Sequence, residues 1–278
     1  MSALTGDIAG MVAPYLDDTE RRALDRAGYG GGVGVGKRPV VLVVDVTWAF
    51  CGDDPTADVL QAVERYPHAS GRVAWDAIPA VRRLVEGARE REVPVIFTRG
   101  PATPSPAWSR WDDKNSRHRS APAGAGEIVP DSGYRPDDVV LHKEAPSAFF
   151  GTPLLRWLTG LGADSVIVCG GTTSGCVRGT VVDAFSHNLK VAVAADATFD
   201  RVQASHRIGL FDMNLKYADV LPVARILELL PAPPYQSDLP DGRDDARPRV
   251  PPRSEPLDGG RSVGPGTGAH AALGAGGR

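Results

Sequence analysis

The chain has 278 residues, of which 42% are hydrophobic and 23% are charged, a composition typical of a globular protein with one sizeable α/β domain. A formal net charge of −3 gives no electrostatic basis for binding nucleic acid or an anionic membrane surface. Three cysteines, an odd number without metal-type spacing, favour a reducing compartment over a disulfide framework. The sequence shows neither a membrane-length apolar run nor a secretory signal pattern, so we expect a cytoplasmic protein with no membrane or nucleic-acid partner.

Residues 1–36 are expected to form an N-terminal arm with a short helix and a glycine-rich segment. The helix is predicted at Thr19–Ala27, capped by an aspartate and stopped by Gly28. The glycines that lead to Lys37 match the start of a phosphate-binding loop, but Arg38 stands where Ser or Thr would ligate magnesium. They also precede a strand instead of following one. We therefore reject nucleotide binding and expect a flexible arm that packs on a neighbouring subunit.

Residues 37–230 are predicted to form one domain in which strands alternate with helices. This pattern indicates a doubly wound, Rossmann-like α/β fold, with three α/β/α layers and a six-stranded, mainly parallel sheet. Short apolar runs predict six strands, at Val40–Val44, Val93–Phe97, Val139–His142, Val166–Cys169, Val191–Ala194 and Asp219–Leu221. Helical spacing and capping residues predict helices at Thr56–Tyr66, Trp75–Ala88, Pro153–Leu161, Gln203–Lys216 and Pro222–Leu230. A further helix is predicted after the fourth strand, with Val177, Val181, Ala184 and Phe185 on one face, ending near Asn188.

Chemically active side chains follow three of these strands. Asp45 comes directly after the first strand and Lys143 after the third. Cys176 lies in the first turn of the helix that follows the fourth strand, where unpaired backbone N–H groups and the helix dipole favour a thiolate. Because the carboxyl ends of parallel strands line one crevice, these three residues are a candidate catalytic group. The alternative that Asp45 and Lys143 are ordinary loop residues stays open at this point.

About forty residues from Thr98 to Asp137 lack clear periodicity and are predicted to be a functional loop. Within it, Trp108 and Trp111 are flanked by Arg110 and Lys114. These tryptophans are candidates for closing over a small substrate. It is equally open that they pack the loop against the domain or meet another subunit.

The remaining cysteines and the C-terminal segment are assigned no chemistry. Cys51 is expected to be a packing or loop cysteine, and Cys169, inside the fourth strand, to be inert core. Residues 231–278 are rich in proline and glycine and contain few large apolar side chains. They are predicted to be a disordered tail, because they cannot bury enough surface to offset the loss of chain entropy.

At the three strand ends the sequence resembles the isochorismatase-like cysteine hydrolases. That family carries an Asp after the first strand, a Lys after the third and G-x-x-T-x-x-C-V after the fourth. Here these are Asp45 in VLVVDV, Lys143 in VVLHKEAPSAFFGT and Cys176 in GGTTSGCV. The runs SAFFGT, TTSGCVR and DATFDRV are similar to the N-carbamoylsarcosine amidohydrolase branch of the family.

The resemblance implies the isochorismatase-like hydrolase fold and a role for each motif residue. Cys176 would be the nucleophile, Asp45 the proton acceptor and donor, and Lys143 the partner of the thiolate. A non-proline cis peptide would fall at Gly171–Thr172, with the amides of Thr172 and Cys176 as the oxyanion hole. Arg201, in DATFDRV, would grip a substrate carboxylate, although a loop arginine on the surface is the open alternative. Thr172 would also contact the substrate.

The resemblance also implies the activity: a metal-independent cysteine amidohydrolase that cleaves a small linear amide or N-carbamoyl compound and releases ammonia. No cofactor is expected, because the Asp-x-His pair of the zinc-dependent nicotinamidases is missing after Asp45. The partner would be the small-molecule substrate, and the protein a homo-oligomer, either a dimer or a tetramer. The alternatives left open are vinyl-ether hydrolysis of the isochorismatase type, acyl transfer to an amine, and a catalytically silent scaffold.

Overall fold

A six-stranded parallel sheet lies at the centre of the protein, in a computed structural model that describes residues 15–101 and 110–232. The strand order is β3-β2-β1-β4-β5-β6, and all five pairings are parallel. The direction in which the strands are added reverses between β1 and β4, which makes that pair the topological switch point of a doubly wound sheet. The strands are β1 (Pro39–Val44), β2 (Val95–Arg99), β3 (Val139–His142), β4 (Ser165–Gly171), β5 (Lys190–Phe199) and β6 (Asp219–Leu221). The predicted fold class is confirmed.

The described helices are α1 (Asp18–Ala27), α2 (Trp48–Cys51), α3 (Val59–Arg65), α4 (Arg72–Arg89), α5 (Arg110–Lys114), α6 (Leu154–Gly160), α7 (Arg178–Ser186), α8 (Gln203–Lys216) and α9 (Val223–Leu229). A turn of 3₁₀-helix covers Pro130–Ser132, and a turn of π-helix covers Thr173–Val177. Among the described residues, no helix is both long enough and apolar enough to cross a bilayer.

Helices cover both faces of the sheet. Every residue of β1 and β4 is buried, as expected of parallel strands whose sequence is an almost continuous apolar run. One face of β1, including Leu42, packs with α6, α7 and α8, while the other, including Val43, packs with α4 and α9. The central strands of the sheet are therefore covered on both faces, and the carboxyl end of the sheet is where chemistry is expected.

Two elements have other bounds than the sequence predicted, one because of a tertiary contact and one because of a local helix cap. β5 continues past Ala194 to Phe199, since its last residues pair with Gly170 and Gly171 after a shift of register in β4. The predicted helix at residues 56–66 begins only at Val59, where the Asp58 side chain accepts a hydrogen bond from the Gln61 N–H.

The helix after β4 also differs from the prediction. It opens as the π turn, and only then continues as α7. Phe185 was predicted on its buried face, but 49% of this side chain is exposed, and the ring meets Tyr217 edge-on. The left-handed backbone predicted at Asn188 is confirmed by its φ of 61°.

The glycine-rich segment lies against its own domain instead of hanging free. The backbone N–H groups of Val33 and Gly34 donate to the Asp219 carboxylate, those of Lys37 and Arg38 donate to Asp164, and Val35 is buried. The expected flexible arm is therefore corrected for this segment, because these hydrogen bonds hold its backbone against the domain. The tail from residue 233 onward lies outside the described residues, and the domain boundaries stay predictions.

Candidate active site

Gly170 sets the distance between the ends of β1 and β4. Its φ is +98°, and a Cβ built there would lie 2.1 Å from the carbonyl oxygen of Val44. No larger residue fits in that space, and L-residues avoid that backbone conformation. The glycine thus lets the two strand ends meet, which brings the residues that follow them to one point at the switch of the sheet.

Asp45 leaves β1 with a left-handed backbone, φ 48°, and its side chain is held by Thr98. The Thr98 hydroxyl donates to Asp45 Oδ1 at 2.7 Å, and the Asp45 N–H donates to the same hydroxyl oxygen at 3.1 Å. Both residues are buried. The sequence analysis missed Thr98, although a polar residue near the end of an apolar strand was an available signal.

Lys143 forms a buried ion pair with Asp45. Its Nζ lies 2.7 Å from Asp45 Oδ2, with side chains only 5% and 4% exposed, and it also donates to the Ala145 carbonyl at 3.1 Å. Burial disfavours the ammonium, but the charges of Asp45 and Cys176 outweigh it, so the pKa of Lys143 is raised. Lys143 therefore carries its positive charge throughout the ordinary pH range.

Cys176 completes the group from the π turn, in which the Val177 N–H donates to the Thr172 carbonyl at 3.2 Å. Cys176 is only 8% exposed, and its thiol lies close enough to Asp45 and Lys143 for both charges to act on it. Burial, and then the negative charge of Asp45, raise the pKa of this thiol to about 12, although Lys143 opposes the shift. Burial thus acts against the thiolate that the start of the helix favours, and the thiolate stays a prediction.

The other two cysteines are placed as packing residues. Cys51 and Cys169 are both completely buried, and burial strongly raises the pKa of each thiol. Of the three cysteines, Cys176 is therefore the one whose thiol lies beside both a carboxylate and an ammonium group.

Thr172 joins β4 to the π turn. The peptide bond between Gly171 and Thr172 is cis, as the resemblance implied, and Thr172 is buried. The role of the Thr172 and Cys176 amides as an oxyanion hole stays a prediction.

Two further side chains hold the same turn, Asp200 from the β5–α8 connection and His206 from the first turn of α8, and the sequence analysis did not assign either of them to the site. The Asp200 carboxylate accepts hydrogen bonds from the N–H and the hydroxyl of Ser174. His206 Nδ1 lies 2.7 Å from the hydroxyl oxygen of Thr173. His206 is half-buried and bonded to the turn.

Arg201 lies next to Asp200 and is half-buried instead of exposed on a surface loop. One guanidinium nitrogen, Nη2, donates to the His68 carbonyl, whereas Nε is buried and has no hydrogen-bond partner among the described residues. Burial lowers the pKa of Arg201, opposed by the charges of Asp200 and Cys176. The guanidinium is therefore within electrostatic reach of Cys176 and presents an unused donor.

Trp111 is linked to Arg201 through two histidines. Its ring stacks on His118, with centroids 6.0 Å apart, and His118 Nδ1 lies 3.1 Å from His68 Nε2. The carbonyl of His68 is the acceptor for Arg201. The structure thus connects the long loop to the neighbourhood of the site, while Trp108 lies outside the described residues.

An open cavity adjoins the ion pair at the end of β3. Its volume is about 460 Å³, which suits a small molecule. Lys143 contributes to its lining, together with Pro101, His142, Glu144, Ala145, Phe150 and Gly151.

Known proteins share this arrangement of elements. The chain matches the Isochorismatase domain family over residues 39–225. It is 27% identical to an N-carbamoylsarcosine amidase from an Arthrobacter species, over 92% of this chain and 97% of that protein. It is 30% identical to a maleamate amidohydrolase from Pseudomonas putida, over 69% of this chain and 87% of the relative.

Solved structures agree with the fold. A cysteine hydrolase from Pseudomonas syringae pv. phaseolicola superposes with a TM-score of 0.59 at 23% identity, covering 71% of this chain and 97% of that one. An N-carbamoylsarcosine amidase from Thermoplasma acidophilum gives a TM-score of 0.54 at 23% identity, covering 67% of this chain and 96% of the other. The family match covers the whole sheet and all three strand ends, so this chain belongs to the isochorismatase family of hydrolases and is related to its amidases.

Proposed function

We propose that this protein is a metal-independent cysteine amidohydrolase that releases ammonia from a small linear amide or N-carbamoyl compound bearing a carboxylate. The observation that carries the proposal is the position of the buried Cys176 thiol beside the Asp45–Lys143 ion pair, where the charges of both residues act on it. A nucleophile, a proton acceptor and a fixed cation thereby meet at the carboxyl end of the sheet. This is the set that attack on an amide carbonyl requires.

In the first half of the proposed reaction, Asp45 takes the proton of the Cys176 thiol as the sulfur attacks the carbonyl carbon. Lys143 keeps the forming thiolate close to a positive charge. The tetrahedral oxyanion is bound by the amides of Thr172 and Cys176, a type of contact that contributes on the order of 10²- to 10³-fold to rate. As the C–N bond breaks, Asp45 returns the proton to the leaving nitrogen, which departs as ammonia.

In the second half, water attacks the thioester or thiocarbamate on Cys176. Asp45 accepts a proton from the water and delivers it to the sulfur as the C–S bond breaks, so the thiol is restored. The same carboxyl group thus acts first as base, then as acid, and repeats both steps. Its bond from Thr98 keeps one oxygen fixed through the cycle, while Oδ2 faces Lys143.

The decisive experiment for the reaction class is a screen for ammonia release over N-carbamoyl amino acids, maleamate and ureidoacrylate. We expect turnover of at least one of these acids by the wild-type protein. Maleamate is included because the P. putida relative is a maleamate amidohydrolase. Absence of ammonia release from every member, with Cys176 still reactive toward an alkylating reagent, would contradict the proposed substrate class.

Arg201 is proposed to bind the substrate carboxylate. Its Nε is an unpaired donor, Cys176 is near enough for their charges to interact, and a guanidinium matches the two oxygens of a carboxylate. Thr172 borders the same site, and Trp108 and Trp111 are proposed to close over it. In favour of Trp111 is its link through His118 and His68 to Arg201. The homo-oligomer implied by the resemblance also stays a prediction.

Substitution of Arg201 by lysine is expected to lower kcat/KM about ten- to a hundredfold on acidic substrates. The reason is the loss of a charge-assisted pair, worth roughly 1.5–3 kcal/mol, because an ammonium cannot reproduce its two-pronged geometry. Neutral amides of similar size should be much less affected. Arg225→Lys is the matched control, since Arg225 pairs with Glu228 on the exposed face of α9. Equal losses on acidic and neutral substrates would mean that Arg201 supports the fold instead.

Turnover is expected to survive metal chelators. In the described part of the chain, no three His, Cys, Asp or Glu side chains are grouped so that they could hold a metal ion. The Asp45 oxygen that faces the site is already neutralised by Lys143. Ammonia release should therefore be unchanged after incubation with EDTA and dialysis. Loss of activity that zinc or manganese restores would contradict the mechanism.

A further inference from the structure

The β5–α8 connection and the first turn of α8 together hold the π turn that contains Cys176, at the two consecutive residues Thr173 and Ser174. Asp200 Oδ2 accepts from the Ser174 N–H at 2.9 Å and from the Ser174 hydroxyl at 2.7 Å. His206 Nδ1 meets the Thr173 hydroxyl oxygen at 2.7 Å. Asp200 and His206 are thus two anchors of the π turn. The residues that they hold, Ser174 and Thr173, come just before Cys176, so the anchors limit how far its sulfur can move.

Asp200 is itself held by hydrogen bonds from the residues that follow it in the chain. Its other carboxylate oxygen accepts from the Val202 N–H at 3.3 Å, and its carbonyl accepts from Gln203 Nε2 at 2.9 Å. Only 2% of Asp200 is exposed, and Thr173 is fully buried. Burial also lowers the pKa of His206, so a neutral imidazole faces Thr173 at neutral pH. The anchors are therefore rigid contacts, with little exchange with water.

Arg201 stands between these two anchors in the chain. Its guanidinium donates to the His68 carbonyl and keeps an unused donor at Nε. The group proposed to bind the substrate carboxylate and the groups that hold the nucleophile's turn thus belong to one segment of backbone. A carboxylate bound at Arg201 is positioned by the same segment that positions Cys176.

We propose that residues 200–206 form a clamp in which Asp200 and His206 are positioning residues for the Cys176 turn, and through which Arg201 sets the substrate carboxylate relative to the sulfur. The link to Arg201 rests on the proposed function; the two anchors do not. The clamp matters because reacting atoms must approach within about 3–3.5 Å, and a displacement of about 1 Å costs roughly a hundredfold in rate.

The test uses alkylation of Cys176 in place of turnover, with two probes of equal size. N-iodoacetylglycine carries a carboxylate, and N-iodoacetylglycinamide is its neutral counterpart. Because both probes react with the same thiol, the ratio of their alkylation rates cancels the thiolate fraction and the exposure of Cys176. Dividing this ratio by the one measured with free N-acetylcysteine removes the intrinsic difference in reactivity between the two probes. Peptide mass mapping identifies the alkylated cysteine. Cys51 and Cys169 are completely buried, so we expect them to react little with either probe.

In the wild-type protein we expect a normalised ratio of about ten in favour of the acid, the order expected from one charge-assisted contact. Arg201→Gln should bring it to about one. Asp200→Asn and His206→Leu should each lower it at least about threefold although Arg201 is intact, because the clamp no longer aligns the carboxylate with the sulfur. His206→Asn, whose amide can stand in for Nδ1, should restore most of the ratio.

The matched control is Asp219→Asn, at the opposite end of the sheet. Its carboxylate also receives two backbone N–H groups, those of Val33 and Gly34. This variant should keep the wild-type ratio even if it unfolds at a lower temperature. An unchanged ratio in folded Asp200→Asn and His206→Leu would overturn the clamp. A wild-type ratio of about one would overturn the link to Arg201, whereas failure of the amidohydrolase proposal would appear separately, in the ammonia screen.

Discussion

Replacement of Cys176 by alanine or serine is expected to abolish ammonia release, with a loss on the order of 10⁴-fold or more. The sulfur forms the covalent bond in the proposed mechanism, and a serine hydroxyl is far harder to deprotonate at this site. The measurement is ammonia release under saturating substrate, together with circular dichroism to show that the fold is intact. Because Cys176 lies at the edge of the core and is small, we expect both variants to fold.

Cys51→Ala is the matched control for this experiment. Cys51 is equally buried but packs among the residues on the other side of the sheet. Its loss should reduce the free energy of unfolding by about 1 kcal/mol, through a small cavity, and leave turnover unchanged. If Cys51→Ala lost activity while Cys176→Ala retained it, the assignment of the nucleophile would be wrong.

Asp45→Asn and Lys143→Met are expected to abolish hydrolysis and yet to shift the reactivity of Cys176 in opposite directions. The charge of Asp45 raises the pKa of the thiol, and that of Lys143 lowers it. Removing Asp45 leaves an unpaired ammonium beside the sulfur and so lowers the thiol pKa. Removing Lys143 raises it further. Turnover should fall on the order of 10²- to 10⁴-fold in both variants, since the proton acceptor or the cation beside the sulfur is lost.

Alkylation of Cys176 by iodoacetamide near neutral pH should therefore be faster than wild type in Asp45→Asn and slower in Lys143→Met. Each unit by which the pKa falls gives about tenfold more thiolate, but lower nucleophilicity reduces the net gain to about threefold. Breaking a buried ion pair destabilises a protein by about 3–5 kcal/mol, so the rates are taken at low temperature on protein shown to be folded. Slower alkylation in folded Asp45→Asn would contradict the proposed electrostatics.

The sequence was sufficient to predict the sheet and the residues at its functional end. Strands buried on both faces are apolar runs, and the residues that end them, Asp45 and Lys143, stand out by their charge. The glycine pair before Cys176 marked the turn out of β4. These features are local in sequence, which is why pattern alone indicates them.

What the sequence could not indicate depends on contacts between distant segments. The final residues of β5 form no apolar run and are strand only because Gly170 and Gly171 pair with them. Thr98 and Asp200 became site residues only once the fold had placed them beside Asp45 and Ser174. The pKa of Cys176 shows the same limit: local helix geometry favours a thiolate, and burial acts against it.

The position of the site at the β1–β4 boundary affects the order in which its parts are synthesised and folded. Asp45 and Lys143 follow strands of one half of the sheet, β1 to β3, whereas Cys176 follows β4 and belongs to the other half. During synthesis Asp45 and Lys143 therefore emerge well before Cys176. Joining distant segments is among the slower steps of folding. We therefore expect the three side chains to meet only late in folding, when β4 pairs with β1.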